Sequence, residues 1–126
     1  MAAVDAELLG SLLARLETLE AKEAIRDVMY RYARGADRAD LELFKSCYWP
    51  DATDCHWFWN GNAHAFADYV IPLLREIPNS QHSITNPIIE LDGELLTACE
   101  SHHARYRRGT RGDALTRPIA STSRSR

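Results

Sequence analysis

Apolar residues recur every three or four positions along the first third of the chain, and this spacing predicts a long helix over about residues 5–34. Gly35 is the expected helix stop. The helix carries two apolar sets, one of leucines at positions 8–19 and one from Ile25 to Ala36. Because a single small core does not need to cover so long a helix, the leucine set is available to face a partner.

The middle of the chain predicts a short helix, a strand and another helix. Asp40 is the expected N-cap of "LELFKSCY", which Pro50 ends. Alternation in "TDCHWFWNG" predicts a strand that turns at Asn60-Gly61. The segment "HAFADYVIPLLREI" has helical spacing, with Val70 and Leu74 among its inward-facing residues.

The last third of the chain predicts two strands and a tail. "SQHSITNPIIEL" alternates, so that His82 and Asn86 share one strand face, and Asp92-Gly93 is the hairpin turn to "ELLTACESHHARYRR". Residues 109–126 have no period and few large apolar side chains, which predicts a disordered basic tail. The order of elements predicts an α+β domain over residues 1–108, with 1–20 as a helical extension and the helices on one side of an antiparallel sheet.

The composition narrows the class of protein. Of the 126 residues, 45% are hydrophobic and 26% are charged, which is ordinary for a soluble domain. The net charge of -3 does not indicate nucleic-acid binding. The three cysteines lack the CxxC spacing of zinc and redox sites, so reduced thiols are expected. The sequence has neither a signal-peptide pattern nor an apolar run of membrane-spanning length. We therefore expect a cytoplasmic protein with no nucleic-acid or membrane partner.

The first candidate for chemistry is His82, inside the polar run "NSQHSITNP". A neutral imidazole accepts a proton, and a carboxylate on its other nitrogen fixes the tautomer and stabilises the imidazolium that forms. Asp37 is the candidate partner. It lies at the negative end of the first helix, where the helix dipole does not stabilise a carboxylate, so it needs water or a cation from elsewhere in the chain. The alternative is a solvated Asp37 and a hydrogen-bonded wall histidine.

Aromatic residues form the second candidate feature. The aromatic cluster consists of Tyr48, Trp49, Trp57, Phe58 and Trp59. These side chains line an apolar ligand cavity, pack in the core, or are divided between the two. Tyr32, on the apolar face of the first helix, is placed to aim its hydroxyl into a pocket. His102 and His103 are adjacent in a strand and face opposite sides, which argues against a shared metal ion.

Over about residues 20–108 the chain resembles the SnoaL-like branch of the nuclear transport factor 2-like superfamily. The resemblance rests on the combined order of "RYARGADRAD", "YWPDA", "NG", "QHSITNP" and "ELDGE". It implies a cone-like, strongly curved antiparallel sheet that packs on helices and encloses a pocket. Members include scytalone dehydratase and hexachlorocyclohexane dehydrochlorinase, along with many non-enzymes.

The resemblance also implies roles for single residues. The aspartate and histidine that both of these enzymes use match Asp37 and His82 here. A second histidine of the dehydratase matches His103, and a polar pocket position of the dehydrochlorinase matches Tyr32.

The chain departs from the family at three places. Ala36 and a position near Cys55 stand where the dehydratase has tyrosines, which argues against a scytalone-type substrate. The family fold continues past Arg108 into two more long strands, whereas the pattern here ends in a Gly/Arg/Ser/Thr-rich tail. We therefore expect a truncated or frame-shifted member whose last strands are missing.

The resemblance implies a cofactor-independent lyase or isomerase, dehydratase- or cyclase-like, in which His82 removes a proton from a small apolar or aromatic substrate. Asp37 orients His82, and His103 or Tyr32 assists the leaving group. The expected substrate contacts are Tyr32, Tyr48, Trp49, Trp57, Phe58, Val70, Leu74 and Asn86, with no metal or organic cofactor. The alternatives are a non-catalytic small-molecule-binding or dimerisation module of the same fold and an inactive truncated form. A homo-oligomer, dimer or trimer, is expected.

Overall fold

A computed structural model describes residues 5–56, 58–92, 95–99, 102–107 and 117–123, with side chains up to residue 91. Along these residues run the helices α1 (Ala6–Asp37), α2 (Leu41–Ser46) and α3 (Ala63–Arg75). The strands are β1 (Thr53–His56), β2 (Trp59–Asn62), β3 (Ile88–Asp92), β4 (Leu95–Cys99), β5 (His102–Arg107) and β6 (Arg117–Ser123). The predicted α+β class is confirmed. None of the helices in the described ranges is both long and apolar enough to cross a membrane.

The six strands form one sheet in the order β2-β1-β6-β5-β4-β3, in which only the β1–β6 pair is parallel among the pairs described. The antiparallel β3–β4 pair agrees with the predicted hairpin, but Asp92 belongs to β3 and faces Leu95, so it is not a residue of the turn. The returning strand, predicted as one element, is two strands, because β4 and β5 pair with each other and place Cys99 opposite His103.

Strand β6 lies inside the segment that the sequence predicts to be a disordered tail. The structure differs from that prediction over Arg117–Ser123, which pairs with β1 on one side and with β5 on the other. Pairing on both sides satisfies the backbone of a strand even where large apolar side chains are scarce. The domain boundary at residue 108 and the loss of the last family strands stay predictions.

Helix α1 runs through Gly35, so the prediction of a helix stop there is wrong. The helix ends at Asp37, and the chain then reverses at Ala39, whose φ of 50° is left-handed, while the Asp40 N–H donates to the Gly35 carbonyl at 2.9 Å. Gly35 is a packing position instead. A Cβ on it would lie 3.0–3.2 Å from the backbone nitrogen, Cα and Cβ of Phe44, so the absence of a side chain lets α2 approach α1 closely.

Helix α2 and the first strand enclose the centre of the core. The Asp40 side chain caps α2 by accepting from the Leu43 N–H at 3.0 Å, as the sequence predicts. Phe44 and Tyr48 are buried, and the Tyr48 hydroxyl donates to the fully buried Asp54 of β1 at 2.8 Å. Burial raises the pKa of Tyr48 well above its ordinary value, so its hydroxyl stays protonated and remains a donor to the carboxyl.

The turn between β1 and β2 is displaced from the predicted position. His56 pairs with Trp59, so the chain reverses between these two residues, and Asn60-Gly61 lies inside β2. The side chain of the next residue, Asn62, makes two hydrogen bonds outside the hairpin. Its side-chain oxygen caps α3, and its amide donates to the Pro50 carbonyl at 2.8 Å. The chain therefore enters α3 directly from β2.

The segment around His82 is not a strand, which corrects the prediction for "SQHSITNPIIEL". Strand β3 begins only at Ile88, and Asn86 is exposed with a left-handed φ of 53°. His82 and Asn86 therefore do not share a strand face. The His82 N–H donates to a side chain and Pro87 has no N–H, so neither residue offers a donor to a sheet ladder.

We predict that Gly35→Ala destabilises the fold by about 1–3 kcal/mol through overpacking against Phe44. A helix interior otherwise favours alanine over glycine by roughly 0.5–1 kcal/mol. Gly10→Ala is the matched control, because nothing lies within 4 Å of a Cβ at that position. Denaturant unfolding of the two variants should move their midpoints in opposite directions, and equal stabilisation by both changes would contradict the close helix approach.

Candidate functional site

The Asp37 carboxylate and the His82 ring are in contact at the end of α1. Nδ1 of His82 lies 2.6 Å from Oδ1 of Asp37. The His82 backbone N–H also donates to this carboxylate, at 3.0 Å to Oδ1 and 2.9 Å to Oδ2. The Ser80 hydroxyl donates to Oδ1 at 3.1 Å. One carboxylate therefore holds both the backbone and the ring of His82.

These hydrogen bonds favour the ionised form of Asp37. Partial desolvation favours the neutral acid, but the donors from the His82 backbone, the His82 ring and the Ser80 hydroxyl together outweigh it and lower the pKa of Asp37 below its ordinary value. The carboxyl group is then ionised at neutral pH and can only accept hydrogen bonds. Nδ1 of His82 must therefore be the protonated nitrogen, which leaves the lone pair of the neutral ring on Nε2.

A groove of about 300 Å³ lies beside this pair. One wall comes from α1 and the other from the segment that contains His82; the lining residues are Tyr30, Ala33, Arg34, Asp37, Arg38, Gln81, His82 and Ile84. The side chain of His82 is 43% exposed and that of Asp37 only 18% exposed. The geometry thus presents the imidazole to the groove and keeps the carboxylate behind it.

Tyr32 lies between this pair and the core. Its ring centroid is 6.4 Å from that of His82 in an edge-on arrangement, and 4.8 Å from that of Phe44. Tyr32 is partly buried against the core cluster. Tyr32 is not among the residues that line the groove, so the pocket-facing hydroxyl and the substrate contact expected for it stay predictions.

Among the residues whose side chains are described, none of the expected substrate contacts, Tyr32 included, lines the groove beside His82. Tyr48 is buried in the core, while Trp49, Val70 and Leu74 are partly buried against it. Phe58 is exposed over 45% of its surface, and Asn86 is exposed beyond the groove lining.

The side chains of two predicted site residues, Trp57 and His103, lie outside the described part of the structure. Trp57 lies outside the described residues, and only the backbone of His103 is described, within β5. The ligand contact predicted for Trp57 and the catalytic role predicted for His103 stay predictions.

Sequence reasoning missed several residues of the groove. Tyr30 and Arg34 lie on the same helix face as Asp37, seven and three positions before it, and helical spacing alone would have selected them. Ser80 and the His82 N–H carry no such signal. They reach Asp37 only because the loop folds back across 43 to 45 positions of the chain.

The sequence model of the SnoaL-like domain family matches residues 17–122, which is most of the chain. The chain belongs to the SnoaL-like domain family. No curated protein sequence matches the chain.

Solved structures of several SnoaL-like and related proteins resemble this one. A nuclear transport factor 2-like protein with a cystatin-like fold from Novosphingobium aromaticivorans is 22% identical, with a TM-score of 0.74 over 96% of this chain and 90% of that chain. Hexachlorocyclohexane dehydrochlorinase LinA-type3 from Novosphingobium barchaimii is 15% identical, with a TM-score of 0.70 over 87% and 89%. A scytalone dehydratase-like protein from Novosphingobium aromaticivorans is 12% identical, with a TM-score of 0.68 over 83% of each chain. Likeness at this level of identity shows the fold alone, and the assignment to the SnoaL-like family rests on the match to the family's sequence model.

We predict that Asp37→Asn reduces the free energy of unfolding by roughly 1–3 kcal/mol at neutral pH, because it removes a charged acceptor of three donors. The pKa of Asp37 is lowered in the folded state. Its stabilising effect is therefore complete above the pKa of the unfolded chain and is lost as the pH falls through the folded pKa.

The measurement for this prediction is denaturant unfolding of the wild type and Asp37→Asn between neutral and strongly acidic pH. The difference between the two proteins should shrink as the pH falls. Glu17→Gln, at an exposed carboxylate of α1, controls for the loss of one negative charge. A difference that stays constant, or grows in acid, would contradict the hydrogen-bonding pattern around Asp37.

Proposed function

We propose that this SnoaL-like protein is a cofactor-independent lyase or isomerase in which His82 acts as the general base. The observation that carries the proposal is the 2.6 Å contact between Nδ1 of His82 and Oδ1 of Asp37 beside an open groove. Distances of about 2.6–3.2 Å are those at which a catalytic base and its orienting group are hydrogen-bonded. A wall histidine held by backbone atoms alone would not need this carboxylate on its ring.

The proposed reaction is an elimination. Nε2 of His82 takes a proton from a carbon of the substrate, the electron pair of that C–H bond forms a carbon–carbon double bond, and the leaving group departs with its own electron pair. The ring becomes an imidazolium, which the negative charge of Asp37 stabilises through Nδ1–H. Transfer of the proton from Nε2 to the leaving group or to water returns the enzyme to its starting state. The same base supports an isomerisation when the proton returns to a different carbon.

The groove supplies groups for the departing charge. Arg34 of α1 and Arg38, the residue that follows the helix, line the groove, and either cation favours negative charge on a leaving halide or oxygen. Tyr32 and His103 are the further candidates for this assistance. Ala33, Ile84 and the ring of Tyr30 give the groove an apolar part, which fits a small apolar or cyclic substrate.

The enzymes with the same fold guide the choice of substrates to test. The related dehydrochlorinase acts on hexachlorocyclohexane by its name, and the related dehydratase-like protein is named for scytalone. Small chlorinated cyclohexanes are therefore the first candidates. Cyclic β-hydroxy ketones come second, because Ala36 and the position near Cys55 argue against a scytalone-type substrate. We further propose that the protein acts in the cytoplasm as a homo-oligomer, a dimer or a trimer.

We predict that His82→Gln lowers the turnover number by about 10²–10⁴-fold, because the substitution removes general base catalysis. Ligand affinity, followed by tryptophan fluorescence, should change little. The assay is chloride release from the chlorinated cyclohexanes and absorbance of the conjugated enone formed from the hydroxy ketones.

The matched control is His64→Gln. Nε2 of His64 lies 3.1 Å from the Tyr48 carbonyl, away from the groove, and glutamine retains a donor for that oxygen. His64→Gln should keep wild-type turnover. Equal activity of His82→Gln and wild type would sink the assignment of the base. Ligand binding by a wild-type protein without turnover of any substrate would favour the non-catalytic binding module.

A further inference from the structure

The first half of α1 displays a continuous apolar surface. The leucine stripe consists of six residues that are each 46–64% exposed: Leu8, Leu9, Leu12, Leu13, Leu16 and Leu19. Every residue from Asp5 to Glu20 is exposed. Soluble proteins rarely leave a contiguous patch of this kind in water unless a partner covers it.

The leucine stripe does not continue the face of α1 that packs in the core. Ile25 and Val28 are buried, and the positions seven and eleven residues before Ile25, which share its face, are Thr18 and Ala14. At about 100° per residue, Leu16 and Leu19 lie on nearly the opposite side of the helix. The leucine stripe therefore faces away from the side on which α1 meets the domain body.

The spacing of the stripe is that of a coiled-coil seam. Leu9, Leu12, Leu16 and Leu19 follow one another by three, four and three positions, so Leu9 and Leu16 occupy a positions and Leu12 and Leu19 occupy d positions of a heptad. The next a position is Glu23, so the apolar seam ends at Leu19. The buried positions of the helix begin directly afterwards, with Ala21.

The residues that flank the seam identify the partner as a second copy of this chain. In a parallel pair of helices each g position faces the e position five residues later on the other chain. This rule places Leu8 opposite Leu13 of the second copy and Arg15 opposite Glu20 of the second copy. An antiparallel pair would bring g positions against g positions, which sets Arg15 against basic residues, since the other charged g position is Lys22.

We propose that the leucine stripe joins two copies of this chain in a parallel two-stranded coiled coil over residues 8–20. A free helix of this length is marginal in water. Here the stripe extends a helix whose second half is anchored in the core by Ile25 and Val28, so the costly nucleation of the helix is already supplied. The proposal names one interface for the homo-oligomer and does not depend on the chemistry of His82.

The first test is the mass of the full-length protein by sedimentation equilibrium over a wide concentration range. The wild type should be a dimer, and Leu12→Gln with Leu16→Gln should weaken the dimer by on the order of 100-fold or more. Leu73→Gln is the matched control, because Leu73 is a similarly exposed leucine on α3. A wild-type monomer, or a dimer that the double variant leaves unchanged, overturns the proposal. Circular dichroism of each variant separates loss of association from loss of folding.

A charge exchange tests the parallel register. Arg15→Glu alone and Glu20→Arg alone should each weaken self-association, because each places like charges across the seam. An equimolar mixture of the two single variants should associate more tightly than either alone, since both flanking pairs are then opposite in charge. Tighter self-association of Arg15→Glu alone would overturn the parallel arrangement.

Discussion

The hydrogen bonds to the Asp37 carboxylate determine where the functional groups of this protein lie. The Ser80 hydroxyl, the His82 N–H and the His82 ring all contact that carboxylate, so one side chain at the end of α1 fixes a loop that begins beyond α3. The same bonds prevent the loop from joining the sheet before Ile88 and turn the His82 ring towards the groove. Two residues before Asp37, the absence of a side chain at Gly35 lets α2 pack closely against the same end of α1.

Much of the fold follows from local patterns in the sequence. Helical spacing predicts α1 and α3, the Asp40 cap predicts α2, and the family resemblance predicts the superfamily. The errors arise where tertiary contacts override a local signal. Gly35 resembles a helix stop, but the left-handed residue is Ala39, and the glycine serves packing. Asn60-Gly61 resembles a turn, but Asn62 is needed to cap α3, so the turn comes earlier.

In the candidate site, too, local signals identified some residues correctly and tertiary contacts decided the others. His82 and Asp37 were identifiable from their chemistry and from the family pattern, and the structure brings their side chains into contact. Asn86 was assigned by strand parity, which fails because His82 donates its N–H to Asp37 and the strand starts later. Ser80 was missed because a long-range contact to a loop leaves no periodic signal. Arg34 carried such a signal, since it shares a helix face with Asp37.

The tautomer of His82 tests the central claim most directly. If the ionised Asp37 accepts a hydrogen bond from the ring, the neutral imidazole carries its proton on Nδ1 and its lone pair on Nε2. The measurement is the ¹⁵N chemical shifts of the His82 ring nitrogens by NMR, in wild type and in Asp37→Asn. We predict a protonated Nδ1 and an unprotonated Nε2 in the neutral ring of the wild type, and loss of this preference in Asp37→Asn. A neutral ring protonated on Nε2 in the wild type would contradict the assignment of His82 as the base.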